Sequence, residues 1–240
     1  GIPCLRKRAG GLRGGRRAHR RADHSQGRQR ASLATGSTPI PAYEMLVQWY
    51  DRGVIDFDRV RTFNLDEYVG IDHKNPLSYH AFMQEHLFSK VNLRKEKRAS
   101  AQRQCRRRRR GIRQGDSRGG RHRHPALGIG RNGHIGFNEP ADDFTYGTHV
   151  VTLAADTIEA NARFFKSADE VPRQAVSMGI GNIMAAKCVV LVATGENKAK
   201  AVYDTIRGPI TPRVPASVLQ LHPCCVILTD REAGKLMLEE

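Results

Sequence analysis

The sequence predicts an α/β protein with a mostly parallel, Rossmann-like open sheet and helices on both of its faces. Wholly apolar runs at 188–193 and 224–228 alternate with segments of helical periodicity. Such runs are typical of strands buried on both faces, and their alternation with helices favours a parallel sheet. Polar, glycine-containing segments also follow several predicted strands, as they do where ligands bind at the carboxyl ends of parallel strands.

The elements of the first half of the chain each have a local reason. Segment 39–52 places apolar and aromatic residues at helical spacing and stops at Gly53. Residues 60–65 read as a short buried strand. Ser78 is suited to cap the helix that follows it, because its hydroxyl can accept a free backbone N–H. Residues 127–129 are the end of a strand that runs into a glycine-rich turn.

The second half repeats the pattern of strand, turn and helix. Asp156 is suited to cap a helix of about two turns. The strand at 188–193 leads into a helix predicted over 196–206, and the strand at 224–228 is closed by Asp230 and a final helix. These elements make residues 32–240 a single α/β domain.

The net charge of +16 is concentrated in two Arg-rich blocks, at 1–31 and 94–124. The blocks carry net charges of +9 and +12, so the other 178 residues carry −5. Neither block has apolar periodicity at 2 or 3.6 residues, so neither is expected to bury a face. The first block therefore precedes the domain and the second interrupts it.

Composition excludes several classes of protein. No apolar run reaches the roughly 18 residues of a membrane span, and no amino-terminal apolar run predicts a secretory signal. The cysteines are odd in number and lack metal-site spacing, which argues against a disulfide framework and for a reducing, cytoplasmic location; they are Cys4, Cys105, Cys188, Cys224 and Cys225. We expect no metal and no cofactor.

Two polar segments follow predicted strands in the first half of the chain. Gly36, Ser37 and Thr38 lie directly before a helix, where small residues and hydroxyls could cradle a phosphate. Asp66 and Glu67 end a strand and could supply a general base, but side chains alternate along a strand, so only one should face a given pocket. Taken alone, an ordinary helix start and a solvated acidic turn explain these segments.

The segment 128–140 is more specific, with the sequence GIGRNGHIGFNEP. Its glycines indicate tight backbone geometry. His134 and Glu139 are the residue types of a proton relay, because imidazole titrates near neutrality and a carboxylate can orient it. Arg163 and Lys198 are cations that could reach a phosphate, although each alone is more often a surface charge.

Together these strings resemble the glucosamine-6-phosphate deaminase family. The resemblance covers roughly 32–93 and 126–230, with all elements in family order; it rests on ATGSTP, FNLDEYVG, GIGRNGHIGFNEP, NARFF, GENK and LQLHP. It implies conversion of glucosamine 6-phosphate, an amino-sugar phosphate, to fructose 6-phosphate and ammonia, without a redox cofactor. Related sugar-phosphate isomerases and 6-phosphogluconolactonases share a similar fold and are the alternative enzymes.

The resemblance also implies a role for each site residue. His134 would open the sugar ring, with Asn132 and Glu139 holding its imidazole. Asp66 would carry a proton between C2 and C1. The phosphate would be bound by Gly36, Ser37, Thr38, Arg163 and Lys198. Some family members carry Asp in place of Asn132, and a neutral amide leaves Glu139 alone to stabilise an imidazolium.

The Arg-rich blocks are the largest departure from the family. We interpret them as out-of-frame translation of GC-rich coding DNA, because they stand where the family has core elements. On that hypothesis the sheet lacks most of a strand before each of two polar turns, and the chain as written folds poorly with weak or no activity. The rival hypothesis is a basic nucleic-acid-binding protein, but the blocks lack the aromatic residues that stack on bases. A degenerate, inactive relative is a third reading.

Overall fold

The computed structural model describes residues 29–100 and 124–238, which form two sheets. The main sheet has six parallel strands, in the spatial order β4 (Arg98–Ser100), β2 (Val60–Asn64), β1 (Gln29–Leu33), β5 (His124–Gly128), β8 (Val189–Ala193) and β9 (Cys225–Thr229). The smaller sheet is antiparallel, in the order β3 (Asp66–Tyr68), β7 (Gln174–Ser177) and β6 (His149–Thr152).

Along the chain, most of the described helices connect one strand to the next. They are α1 (Ile40–Asp51), α2 (Tyr79–Met83), which continues as a π-helical turn (Gln84–Phe88), α3 (Ala155–Ala162), α4 (Ile180–Met184) and α5 (Ala199–Ile206). Short 3-10 turns complete the described ranges at Lys95–Lys97, Ala168–Glu170, Glu196–Lys198, Pro215–Leu221 and Lys235–Met237.

Helices cover both faces of the main sheet, as the sequence predicted. Ala31 pairs with His124 across β1 and β5. Leu33 is two residues after Ala31, whereas Leu127 is three residues after His124. Because side chains alternate along a strand, Leu33 and Leu127 therefore point to opposite faces. Leu33 packs in a cluster with residues of α1. Leu127 packs in a second cluster with residues of α4 and α5. The prediction of a mostly parallel α/β sheet is confirmed.

The expectation that the sheet lacks most of two strands is wrong. β1 begins at Gln29, inside the first Arg-rich block, and β5 begins at His124, the last residue of the second. Strands pair through backbone groups, so a five-residue segment between two partners needs little apolar sequence of its own. The remainder of the blocks, 1–28 and 101–123, lies outside the described residues, and their out-of-frame origin stays a prediction.

The caps of the helices differ in part from prediction. Ser78 caps α2 as expected, and its Oγ accepts the backbone N–H of Ala81 at 3.0 Å. Asp156 does not cap α3; the cap position is Ala154, and Asp156 lies in the first turn, where its charge still favours the helix dipole. The final helix expected after Asp230 is reduced to one 3-10 turn.

One disulfide is present, although the number and spacing of the cysteines argued against a disulfide framework. Cys188 and Cys224 are bridged, with their Cα atoms 4.6 Å apart. They precede β8 and β9, where Val189 pairs with Cys225, so strand register brings them together. Cys225 is a free thiol, and Cys4 and Cys105 lie outside the described residues. Within the described ranges no helix has the length and apolarity needed to cross a bilayer.

Candidate active site

The predicted site residues follow four strands of the main sheet. The turn with Ser37 follows β1, Asp66 follows β2, His134 follows β5, and Lys198 follows β8. Because these strands are parallel, their carboxyl ends lie at one edge of the sheet. This is the edge at which open α/β sheets bind ligands.

His134, Asn132 and Glu139 form a compact hydrogen-bonded triad. Nδ1 of His134 lies 2.8 Å from Oδ1 of Asn132 and 3.3 Å from Oε2 of Glu139. Nδ2 of Asn132 donates to the same Glu139 oxygen at 2.9 Å. Since the Asn132 amide nitrogen faces the carboxylate, its oxygen faces the imidazole, and Nδ1 of His134 carries the proton. The other ring nitrogen, Nε2, is then the proton acceptor of the neutral ring.

Glu139 is held as a carboxylate. Burial would raise the pKa of Glu139, but the hydrogen bond and charge of His134, with smaller contributions from Thr157 and Asn132, lower it to about 2. Only 8% of its side chain is exposed. A buried fixed anion beside Nδ1 therefore accepts its hydrogen and holds the ring in one orientation, which leaves Nε2 for proton exchange.

Gly130 permits this arrangement by leaving room for the His134 ring. A Cβ at residue 130 would overlap Nδ1, Cε1 and Cγ of His134. The backbone N–H of Gly130 donates to the carbonyl of His134 at 2.9 Å, which closes the turn over the ring. The string therefore requires glycine at this position for a reason of space.

We expect Gly130→Ala to lower kcat about 100-fold, because a displacement near 1 Å in a catalytic group has about that effect. Gly128→Ala is the matched control, since a Cβ there has no atom within 4 Å. Steady-state kinetics of both variants check the prediction. Equal activity of the two variants would contradict it.

Asp66 lies close to the same turn, at Gly136. Gly136 has a positive φ of 59°, and a Cβ built there would be 3.7 Å from Oδ2 of Asp66. Asp66 is 7% exposed, and its Oδ1 is buried without a hydrogen-bond partner. Burial, and then the negative charge of Glu67, raise the pKa of Asp66 to about 7. A carboxylate in this state is a stronger base than one in water.

Glu67 has a different function from its neighbour. Its Oε1 accepts the backbone N–H of Tyr79 at 2.9 Å, and its Oε2 accepts that of His80 at 2.9 Å. Both donors are free N–H groups in the first turn of α2. The two adjacent acids thus diverge, as strand alternation predicted, and Glu67 anchors a helix.

A cluster of cations lies near the turn at 36–38. Nη2 of Arg163 is 3.5 Å from Oγ of Ser37. Desolvation, followed by the charges of Arg131 and Arg163, lowers the pKa of Lys198 to about 8. Sequence reasoning missed Arg131, although it stands within the GIGRNGH string itself. These three cations repel one another, and a bound phosphate dianion would relieve that repulsion.

The turn itself is built for close approach. Gly36 has a φ of 98°, which favours glycine, and no atom lies within 4 Å of a Cβ built there. The Tyr43 hydroxyl donates to the carbonyl of Ala34 at 2.5 Å and fixes the start of the turn to α1. Gly36 and Thr38 are half-buried and Ser37 is exposed. Within 29–100 and 124–238, no three His, Cys, Asp or Glu side chains group as metal ligands.

Comparison with known proteins gives consistent matches. Residues 15–227 match the family described as glucosamine-6-phosphate isomerases/6-phosphogluconolactonase. A glucosamine-6-phosphate deaminase of Thermoanaerobacter pseudethanolicus is 49% identical over 215 residues, covering 87% of this chain and 83% of that protein. One from Clostridioides difficile is 48% identical over 209 residues, covering 84% and 82%.

Solved structures agree with the sequence matches. A monomeric glucosamine-6-phosphate deaminase has a TM-score of 0.80 at 40% identity, covering 87% of this chain and 88% of its own. A 6-phosphogluconolactonase from Thermotoga maritima has a TM-score of 0.64 at 17% identity, covering 85% and 86%, which is a likeness of fold alone.

Proposed function

The chain belongs to the family of glucosamine-6-phosphate isomerases and 6-phosphogluconolactonases, and from this premise we propose that it is a glucosamine-6-phosphate deaminase of amino-sugar metabolism. The reaction takes glucosamine 6-phosphate and water to fructose 6-phosphate and ammonia. The observation that supports it best is that one glycine-rich turn holds an oriented imidazole and lies against a buried carboxyl group.

Ring opening is the first step that this site would perform. His134 passes a proton from the C1 hydroxyl to the ring oxygen, and the C1–O5 bond breaks to give the open-chain aldehyde. The group that does this must act as both base and acid near neutral pH, as imidazole can. Asn132 and Glu139 hold Nδ1, so Nε2 is the nitrogen that exchanges the proton.

Isomerisation follows, with Asp66 as the base. The carboxylate removes the C2 proton, the electron pair forms the C1–C2 double bond, and the C1 oxygen takes a proton from the C2 ammonium, which gives a neutral enolamine. Asp66 then returns the proton to C1, which leaves an iminium at C2. Water adds to C2 and ammonia leaves, giving the ketone of fructose 6-phosphate. A base with a pKa of about 7 is matched to proton transfer near neutral pH.

The phosphate would bind at the other end of the site. Gly36, Ser37 and Thr38 would donate hydrogen bonds, while Arg163 and Lys198 would supply charge. Arg131 adds a third cation in the same field. Contacts of this kind convert binding energy at the remote phosphate into orientation of C1 and C2.

The deciding experiment is a coupled assay of ammonia release from glucosamine 6-phosphate. We expect turnover with this substrate and none with 6-phosphogluconolactone or with glucose 6-phosphate, which has no amine to lose. Hydrolysis of the lactone without ammonia release would favour the lactonase alternative. Binding of RNA with a steep salt dependence, and no sugar-phosphate turnover, would favour the nucleic-acid reading.

The pH dependence of KM gives a test of the phosphate anchor. Lys198 is charged below its pKa of about 8 and neutral above it. We therefore expect KM to rise above pH 8, by up to about tenfold per pH unit, as the amine loses its attraction for the dianion. Lys198→Arg is the matched control, because a guanidinium stays charged and KM should stay level. A level KM in the parent protein between pH 7 and 9.5 would contradict the assignment.

We also infer a cytoplasmic location and no cofactor requirement. The proposed substrate is a phosphorylated sugar, which does not cross membranes unaided. Neither step of the proposed reaction moves electrons to or from an acceptor, so no redox cofactor is needed.

A further inference from the structure

The hydroxyl of Thr157 is buried and unpaired in the first turn of α3. Thr157 is 3% exposed, and its Oγ1 has no hydrogen-bond partner. A helical threonine usually donates to the carbonyl four residues earlier, as Thr205 does to Ala201 at 2.7 Å in α5. Residue 153 precedes the helix, whose cap is Ala154, so Thr157 lacks this partner.

Glu139 supplies a matching unpaired acceptor. Its Oε2 receives Asn132 and faces His134, but its Oε1 is buried without a hydrogen-bond partner. A buried acceptor without a donor is costly, and native structures seldom leave one. The Thr157 hydroxyl is near enough to contribute to the lowered pKa of Glu139. Phe137 and Ile158, which are near neighbours of Glu139 and Thr157 in the chain, also pack in one hydrophobic cluster.

We propose that Thr157 is a positioning residue whose hydroxyl donates to Oε1 of Glu139 and fixes that carboxylate against His134. The inference rests on the proposed function and adds a residue to it. It gives α3 two contacts with the site, since Arg163 at the end of this helix reaches Ser37. One short helix would therefore contact both the turn at 36–38 and the group that holds the imidazole.

The test compares Thr157→Val, which keeps the shape and removes the hydroxyl, with Thr157→Ser, which keeps the hydroxyl. Thr205→Val is the matched control, because it removes a buried helical hydroxyl outside the site. We expect Thr157→Val to lower kcat for ammonia release about tenfold, with KM within twofold of the parent. Thr157→Ser should restore kcat to within twofold, and Thr205→Val should leave it unchanged.

A proton NMR measurement separates positioning from a merely structural effect. The Nδ1–H resonance of His134 reports its hydrogen bonds and needs no substrate, so it tests the inference even if ammonia release fails and the proposed function falls. We expect this resonance to shift or broaden in Thr157→Val and to stay in place in Thr157→Ser and Thr205→Val. Thr157→Ala gives the same comparison if the valine variant unfolds.

Two results would overturn the inference. One is a Thr157→Val protein with the parent's kcat and an unmoved Nδ1–H resonance. The other is a rise in KM that accompanies the fall in kcat and is not reversed by serine, because that pattern indicates displacement of α3 as a whole.

Discussion

Asp66→Asn is expected to lower kcat/KM for ammonia release by about 10²–10⁴, and at the same time to make the protein harder to unfold. The activity falls because an amide cannot take the C2 proton. The stability rises because a charge is removed from a buried site where Oδ1 has no hydrogen-bond partner. With the pKa of Asp66 raised to about 7, the gain in unfolding free energy above pH 7 is up to about 4 kcal/mol.

The pH dependence gives the sign of this effect. The folded state keeps the Asp66 proton up to about pH 7, whereas the unfolded state loses it near pH 4, so the Asp66 contribution lowers stability as pH rises from 4 to 7. Urea unfolding of the parent and of Asp66→Asn across this range should show curves that diverge with increasing pH. A difference in unfolding free energy between the two proteins that does not change with pH would contradict the assignment. An active Asn variant would also contradict it.

Glu67→Gln is the neighbouring control and should act in the opposite direction. Glu67 accepts backbone N–H groups of Tyr68, Tyr79 and His80 through both oxygens. An amide NH₂ in place of one oxygen would face a donor, which costs about 1–3 kcal/mol. We expect Glu67→Gln to lower stability and to keep part of the turnover. The two variants together therefore distinguish the role of Glu67 from that of Asp66.

His134→Gln is expected to lower turnover of glucosamine 6-phosphate by about 10²–10⁴, because ring opening loses its acid–base group. Unlike Asp66→Asn, it should retain proton transfer once the sugar is open. Fructose 6-phosphate can enter as the open-chain ketone and form the C2 iminium with ammonium. Incorporation of deuterium at C1 in deuterium oxide then measures the step assigned to Asp66 alone.

The two variants should therefore give different patterns in this exchange experiment. His134→Gln should exchange the C1 proton at a rate within about tenfold of the parent, whereas Asp66→Asn should show no exchange above background. Loss of exchange in both variants would mean that the two residues do not divide the steps as proposed.

Much of the fold was readable from the sequence because its signals are local. The apolar run at β8 and the cap at Ser78 follow from side-chain types within a few residues. The predictions were wrong where a strand is held by its neighbours in space rather than by its own sequence. β1 and β5 are held by backbone pairing with strands on either side, so weak local patterns were no obstacle to them.

The candidate site divides in the same way. The residue types and their order at the strand ends were visible, which placed Asp66, His134 and Glu139 at one edge of the sheet. Arg131 was missed, and so was Thr157, to which we assign the positioning of Glu139, because a cation and a hydroxyl carry no signal until their surroundings are known. The disulfide was missed for the same reason, since its cysteines meet only through the register of β8 with β9.

The sequence by itself determined the α/β architecture, the family and the set of polar side chains available for chemistry, because short-range patterns and motif strings encode these. Only the tertiary structure decided which acid anchors a helix and which is buried with a raised pKa and one oxygen without a hydrogen-bond partner. It also decided that Arg163 meets Ser37 across 126 positions of the chain. Burial and long-range contact set the pKa and the orientation of each group, and both arise only once the chain is packed.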